Sequence, residues 1–270
     1  MSDIAGRAVP EYRADEFHER RSDLLVAVFV INEGEKVRKQ LLRMRPLAAD
    51  VDIIVADGGS TDGSLDHEYL RETGVRALLT KTGPGKLSAQ MRMAFAWALD
   101  QGYSGVIAID GNGKDGVEAI PEFARLLRAG YDHIQGSRFI PGGKAVNTPL
   151  SRLIGLRILH APLISLASGV RQTDTTNGFR GYSAALLADP EVDVFRDVFQ
   201  TYELHYHLAI EAGRASRFRT VETPVTRTYP RGKVPTKISP IRGNAHVLGV
   251  LFRAARGAYR SPAARKDVSA

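Results

Sequence analysis

The stretch "DGNGKDG", residues 110–116, places two acids, an amide, a lysine and three glycines between the apolar run "GVIAI" and the helix-like "VEAIPEFARLL". A hard divalent cation takes oxygen ligands and completes its shell with water and substrate phosphates. Asp110 and Asn112 are candidate ligands of that kind. The same residue types also form tight turns for purely backbone reasons. Similar chemistry recurs at the ends of other apolar runs, with Asn32 and Glu33 after "LLVAVFVI" and Asp57 after "VDIIVA". The segment "TKTGPGK" resembles a phosphate-binding loop without the full spacing of a P-loop or its terminal Ser or Thr. It suits a loop near a phosphate better than a nucleoside triphosphate site.

These turns need a frame, and the sequence supplies one. "LLVAVFVI", "VDIIVADGG", "VRALLTK" and "SGVIAID" read as buried strands, because short β-branched runs between polar residues suit strands covered on both faces. Helical patterns alternate with them: "NEGEKVRKQLLRM" with Asn32 as its cap, "STDGSLDHEYLRETG", "GPGKLSAQMRMAFAWALDQG" and "VEAIPEFARLLRAG". Alternation of this kind predicts an α/β fold with a mostly parallel central sheet flanked by helices. Ligands of such sheets gather outside the carboxyl ends of the strands. Beyond residue 131 the rhythm is less regular, with a helix near 201–213 and a strand at "RTVETPVTRTY". Trp97 is expected in the core, and His205 and His207, two apart on a helix, do not face a shared metal.

With 43% hydrophobic and 25% charged residues, the composition is that of a soluble globular chain. One domain over 23–258 is expected, with a flexible leader at 1–22 and a flexible tail at 259–270. The net charge of +7 favours anionic partners. The absence of cysteine excludes a disulfide framework and a thiolate zinc site. The first residues lack the apolar core of a signal peptide, and no stretch approaches bilayer-spanning length. A cytoplasmic location follows as the expectation. The segment from Leu150 to Val170, interrupted by Arg152, Arg157 and His160, either lies at a membrane interface as an amphipathic helix or packs on the sheet.

Six blocks in order, "VFVINEGE", "IIVADGGSTDGS", "IAIDGNGKDGVEAIP", "GSRFIPGG", "DTTNGFRGYS" and "ETPVTRTYPRGKVPTKIS", resemble family 2 glycosyltransferases, especially the polyprenyl-phosphate (dolichol-phosphate) sugar synthases. The resemblance covers roughly residues 24–255. It implies a GT-A fold, a nucleotide-sugar donor, a divalent Mg²⁺ or Mn²⁺ ion and inversion at the anomeric carbon. By position, Asp57 would touch the base or ribose, and Ile31, Asn32, Glu33, Lys86, Asp110, Gly111 and Lys237 would complete the nucleotide-sugar site. Asp110 would be the first acid of the metal motif, while Asn112 stands where a second acid is usual, with Asp115 the nearest acid able to assist. Gly58 likewise replaces the second acid of an Asp-Asp pair.

The same resemblance assigns Arg138, Arg152 and Arg180 to an acceptor phosphate, and guanidinium groups suit phosphate through their planar paired donors. A phosphate monoester is already ionised near neutral pH and needs no general base, whereas a hydroxyl acceptor does. Glu203 and Asp174 are the candidates for such a base, so the catalytic set comprises Asp110, Arg138, Arg180, Glu203 and Asp174. The leading expectation is transfer to polyprenyl phosphate, with peripheral contact on the inner membrane face. Transfer to a hydroxyl of a glycan, lipid or small polar molecule is the alternative within the enzyme class. A nucleotide-sugar-binding protein impaired in catalysis is the alternative outside it. Nucleic acid is not an expected partner, since no recognisable nucleic-acid module is present.

Overall fold

The computed structural model of the protein describes residues 6–230 and 242–266. Four parallel strands form its centre: β2 (Leu24–Val30), β3 (Asp52–Asp57), β4 (Val75–Lys81) and β5 (Gly105–Asp110). With β1 (Tyr12–Glu16), β6 (His133–Ser137), β8 (Arg180–Ser183) and β9 (Thr220–Pro224) they make one sheet in the order β1-β4-β3-β2-β5-β8-β6-β9. A two-stranded parallel sheet, β7 (Lys144–Val146) and β10 (Thr226–Thr228), lies apart from it.

Helices α1 (Glu35–Met44), α2 (His67–Glu72), α3 (Leu87–Asp100) and α4 (Ile120–Arg128) connect or flank the parallel strands. All seven residues of β2 are buried. Its alternation divides them: Leu25, Ala27 and Phe29 join the core containing α3, while Leu24, Val26, Val28 and Val30 join the core containing Val37, Leu41 and Phe123. A strand with two apolar faces can sit only at the centre of a sheet covered on both sides.

The chain steps from β2 to β3 to β4 on one side, then returns to place β5 on the other side of β2. This reversal opens a crevice beyond the carboxyl ends of β2 and β5, the usual ligand position in such folds. The register sets Phe29 beside Asp110 and Val30 beside Asp57. Two interstrand spacings therefore separate the Asp57 and Asp110 backbones, about 10 Å.

Three expectations are corrected. Residues 12–16 of the leader form an antiparallel edge strand against β4, with Tyr12 opposite Lys81. The tail carries a short helix, Pro262–Lys266, and Ser261 and Ala264 are buried. The Leu150–Ser168 segment is one continuous 19-residue helix, long and apolar enough by length and composition to cross a membrane, with a mean hydropathy of 1.3. Its turn at Leu156–His160 is a π-helix. Pro162, two residues on, cannot donate to the preceding turn, so a widened turn relieves the ring's clash with the backbone.

Two histidines, His133 and His207, are packed into the interior, His205 is half-buried, and all three are held neutral. Burial pushes His133 down to about 3, helped by Arg180, and pushes His207 down to about 4 against a bond to the Val192 carbonyl. Burial also holds His205 well below the ordinary range. Because these folded-state values lie below the ordinary 6.5, the unfolded chain binds more protons as the pH falls from there. The histidines' contribution to stability is therefore complete above pH 6.5 and is lost toward pH 4, with His207 alone contributing roughly 3 kcal/mol across that window. Urea midpoints measured from pH 7.5 to 5 check this; a flat series would contradict it.

Candidate active site at the carboxyl ends of β2, β3 and β5

Two buried glutamines fix the strand ends. Gln40 of α1 donates to the Asp110 carbonyl at 3.0 Å and accepts from the Gly113 amide at 2.9 Å. Gln90 of α3 donates to the Val30 carbonyl at 2.9 Å and also to the Ala56 carbonyl. Gly111 is required by close approach, since a Cβ there would lie 2.7 Å from Val30 Cγ2. At Gly58 a Cβ would meet Ile31 and Gln90 Oε1 at 3.4 Å, so the position leaves room for a half-exposed Ile31.

Asp57 is buried, and its carboxylate accepts from the Ser60 amide at 2.9 and 3.0 Å and from the Ser60 hydroxyl at 2.6 Å. Asn32 does not cap α1, whose N-cap is Gly34. It adopts φ 49° and bonds across the crevice rim, accepting from Thr61 N at 2.8 Å and donating its amide to Ser60 Oγ at 2.9 Å. Glu33 pairs with Lys36 at 3.4 Å. Lys86 is exposed at the start of α3, with its amide bonded to the Gln200 carbonyl at 2.8 Å. Lys237 lies outside the described residues.

Asp110 is 28% exposed in its side chain, so solvent and ligands can reach it. Its Oδ2 accepts from Asn112 Nδ2 at 3.2 Å and from Arg227 Nη2 at 3.1 Å. Gly178 keeps the other oxygen clear, because a Cβ there would lie 3.0 Å from Oδ1. Asn112 Oδ1 accepts from the Lys114 amide at 3.2 Å. Asp115 does not join them as an assisting ligand: it is fully buried and paired with Arg227 at 2.5 Å. Burial raises its carboxyl to about 6, opposed by Arg227 and reinforced by Asp110.

Among the described residues no group of three or more His, Asp or Glu side chains gathers as a metal site. The donor set present is one carboxylate with a cleared oxygen and one amide. That set fits an ion of the Mg²⁺ or Mn²⁺ type only if water and substrate phosphates fill most of its shell.

The arginines expected at an acceptor phosphate are placed differently from one another. Arg138 and Asp174 form a buried ion pair, with side chains 1% and 0% exposed and both carboxylate oxygens bonded at 2.6 and 2.8 Å. Arg180 is buried and donates to the Asn177, His205 and Thr175 carbonyls at 3.0, 2.7 and 2.8 Å. Both guanidinium groups brace the 174–180 turn, which corrects their assignment to a phosphate.

Arg152 is half-buried and donates to Tyr229 Oη at 3.0 Å. The Lys114 ammonium lies 5.3 Å from the centre of the same ring. Burial works to raise the Tyr229 hydroxyl, but Arg227, Arg152 and Arg138 outweigh it and lower its pKa. Arg227, Tyr229 and Lys114 were not singled out in sequence; the one signal was the Arg between two Thr in "TRTY".

The two base candidates are also engaged. Asp174 is locked to Arg138. Glu203 is buried at the start of the Glu203–Arg214 helix, accepting from the Gln200 amide at 3.0 Å, the Thr201 amide at 2.5 Å and the Thr201 hydroxyl at 2.7 Å.

A parallel sheet with acids at its switch point is the arrangement expected of a GT-A fold. The chain is 31% identical over 207 residues to the undecaprenyl-phosphate mannosyltransferase of Micrococcus luteus, covering 75% of this chain and 82% of the relative. It is 28% identical to the polyprenol monophosphomannose synthase of Mycolicibacterium smegmatis, over 76% of this chain and 77% of that one. It belongs to the family 2 glycosyltransferases, in the branch that includes the polyprenyl-phosphate sugar synthases. The fold matches that of glucosyl-3-phosphoglycerate synthase from Mycobacterium tuberculosis, solved with Mn²⁺, UDP-glucose and phosphoglyceric acid. The TM-score is 0.59 at 16% identity, covering 86% of this chain and 79% of that one. No family model matches the chain.

Proposed function

We propose that this enzyme moves a hexosyl group from a nucleoside diphosphate sugar to polyprenyl phosphate, with inversion at the anomeric carbon. The observation that carries this reading is the engagement of both candidate bases, Asp174 by Arg138 and Glu203 by the start of its own helix. An acceptor hydroxyl must lose its proton during attack, whereas a phosphate oxygen is already ionised. Attack by that oxygen breaks the anomeric carbon–oxygen bond from the opposite face and releases the nucleoside diphosphate. The site then works by positioning and charge management.

In this reading Asp57 and the rim around Asn32 orient the nucleoside, and Asp110 with Asn112 would hold a divalent ion, which would supply positive charge to the diphosphate. The spacing of about 10 Å between the Asp57 and Asp110 backbones suits a nucleoside with its diphosphate. Arg152 and Lys114, around Tyr229, face the acceptor phosphate in place of Arg138 and Arg180. Incubation with UDP- and GDP-sugars, with and without polyprenyl phosphate, tests the donor and acceptor together. Nucleotide release requiring the phosphate lipid is the expected result, and binding without turnover of any sugar would instead support a catalytically impaired protein.

The Leu150–Ser168 helix, which carries Arg152, supports a membrane-facing acceptor site. Leu150, Ile154, Ile158 and Leu166, spaced by multiples of four, are 69, 48, 73 and 83% exposed. Leu150, Ile154 and Ile158 succeed one another along the exposed side of the helix, Leu166 extends the exposed apolar surface beyond the π turn, and exposed Arg157 accompanies it. An apolar stripe with flanking cations suits the interface of an anionic bilayer, entered sideways without spanning. Sedimentation with anionic vesicles should show binding that weakens with salt, and Ile158→Glu with Leu166→Glu should abolish it. Unchanged sedimentation of that double variant would place the membrane contact elsewhere.

A further inference from the structure

Arg227 contributes more to the donor edge than its place in a three-residue strand suggests. One guanidinium spans two acids, with Nη2 3.1 Å from Asp110 Oδ2 and Nη1 2.5 Å from Asp115 Oδ2. Nη1 also lies 3.4 Å from Asn177 Oδ1. The arginine side chain is 8% exposed and that of Asp115 is 0% exposed, so these charges interact with little screening by water. The backbone holds the arrangement in place: Asp115 and Arg227 form a β-bridge, and the Gly116 amide donates to the Thr226 carbonyl at 2.9 Å. Arg227 is a fixed charge at this edge.

The consequence lies in the charge seen by an incoming cation. Asp110 supplies one negative charge, Asn112 supplies none, and Arg227 sits against the same carboxylate. A free divalent ion near Asp110 is repelled by the guanidinium, whose charge Asp115 at the other terminal nitrogen offsets only in part. An ion already carrying a diphosphate arrives with that offset, because the phosphate oxygens bring negative charge to both cations.

Resting on the proposed metal-assisted donor site, the geometry points to Arg227 as a resident cation that keeps free divalent metal off Asp110 and admits it only together with the nucleotide's diphosphate. Arg227 is thus a positioning residue that sets the order of binding. The substitution of Asn112 for an acid becomes part of that device, since an aspartate at 112 would draw in free metal.

The test is Mn²⁺ binding to the full chain, read by electron paramagnetic resonance of the free ion, alone and with UDP or GDP. Removal of Arg227 alone would strand Asp115, whose Oδ1 has no hydrogen-bond partner. The variant is therefore Arg227→Met with Asp115→Asn, and Asn112→Asp on the unaltered background serves as a second probe. Wild type should bind Mn²⁺ at least about tenfold tighter with nucleotide present than without it. Each variant should bind free Mn²⁺ at least about tenfold tighter than wild type and lose most of the nucleotide's effect. Free-Mn²⁺ affinity of the Arg227→Met, Asp115→Asn variant equal to that of wild type overturns the inference, whatever Asn112→Asp does, as does wild-type binding indifferent to nucleotide. Nucleotide affinity unchanged by a chelator would be a separate outcome: it overturns the metal reading itself, and the inference with it.

Discussion

Asp110→Ala is expected to reduce sugar transfer by about 10²–10³-fold or more while the fold persists. The residue ends β5 beside the buried end of β2, and its carboxylate is the one charged oxygen donor of the motif that is open to solvent. In the proposed reading, loss of that group removes the point at which the diphosphate's charge would be managed. The side chain bears little of the fold: Gln40 holds the 110 carbonyl through the backbone, which alanine retains. Arg227 keeps Asp115 as a partner in the variant, so no charge is left buried alone. Turnover with a nucleotide sugar, together with circular dichroism and the thermal midpoint, decides the matter. Near-normal turnover in a folded variant would remove Asp110 from the reaction.

The second large effect falls on stability. Arg138→Ala should destabilise the protein by about 3–5 kcal/mol, because it leaves the Asp174 carboxylate buried without its partner. Asp174→Ala should cost a similar amount for the converse reason. Replacement of both, Arg138→Met with Asp174→Leu, should recover much of the loss, since a buried pair and an apolar pair of similar volume are often close in stability. Urea unfolding of the three variants measures this cycle. A phosphate-binding role for Arg138 requires another pattern: an unchanged unfolding midpoint in Arg138→Ala with a raised KM for the lipid acceptor.

The centre of the fold was legible because its strands are uniformly apolar. The run read as "VRALLTK" is β4 residue for residue, and the run ending in "AID" stops at Asp110 as β5 does. The edge strand Tyr12–Glu16 was not legible, because "YRADE" has no apolar run and becomes a strand only against β4. The role of Asn32 was obscured for a similar reason: its conformation depends on Ser60 and Thr61, nearly thirty residues away, rather than on the helix that follows.

The candidate site divides along the same line. Asp57, Asp110 and Asn112 could be named because they directly follow or end apolar strands, where position alone implies the crevice. Arg138 and Arg180 were assigned to an acceptor phosphate by resemblance, because sequence displays a guanidinium but not its partner. Arg138 meets an acid 36 residues on, and Arg180 a carbonyl 25 residues on. Arg227 was missed since its two acids lie 112 and 117 residues earlier in the chain. Only the folded sheet order brings them together.

The most direct measurement is mass spectrometry of the lipid fraction after the purified enzyme is incubated with a nucleotide sugar, a divalent metal and polyprenyl phosphate. Parallel reactions replace the phosphate lipid with the corresponding polyprenol or with a neutral glycan. The expected product is polyprenyl phosphate bearing one added hexosyl group, formed together with free nucleoside diphosphate and absent from the parallel reactions. Hexose transfer to the polyprenol or glycan hydroxyl, with polyprenyl phosphate left unmodified, would contradict a phosphate acceptor at the Arg152–Lys114–Tyr229 patch.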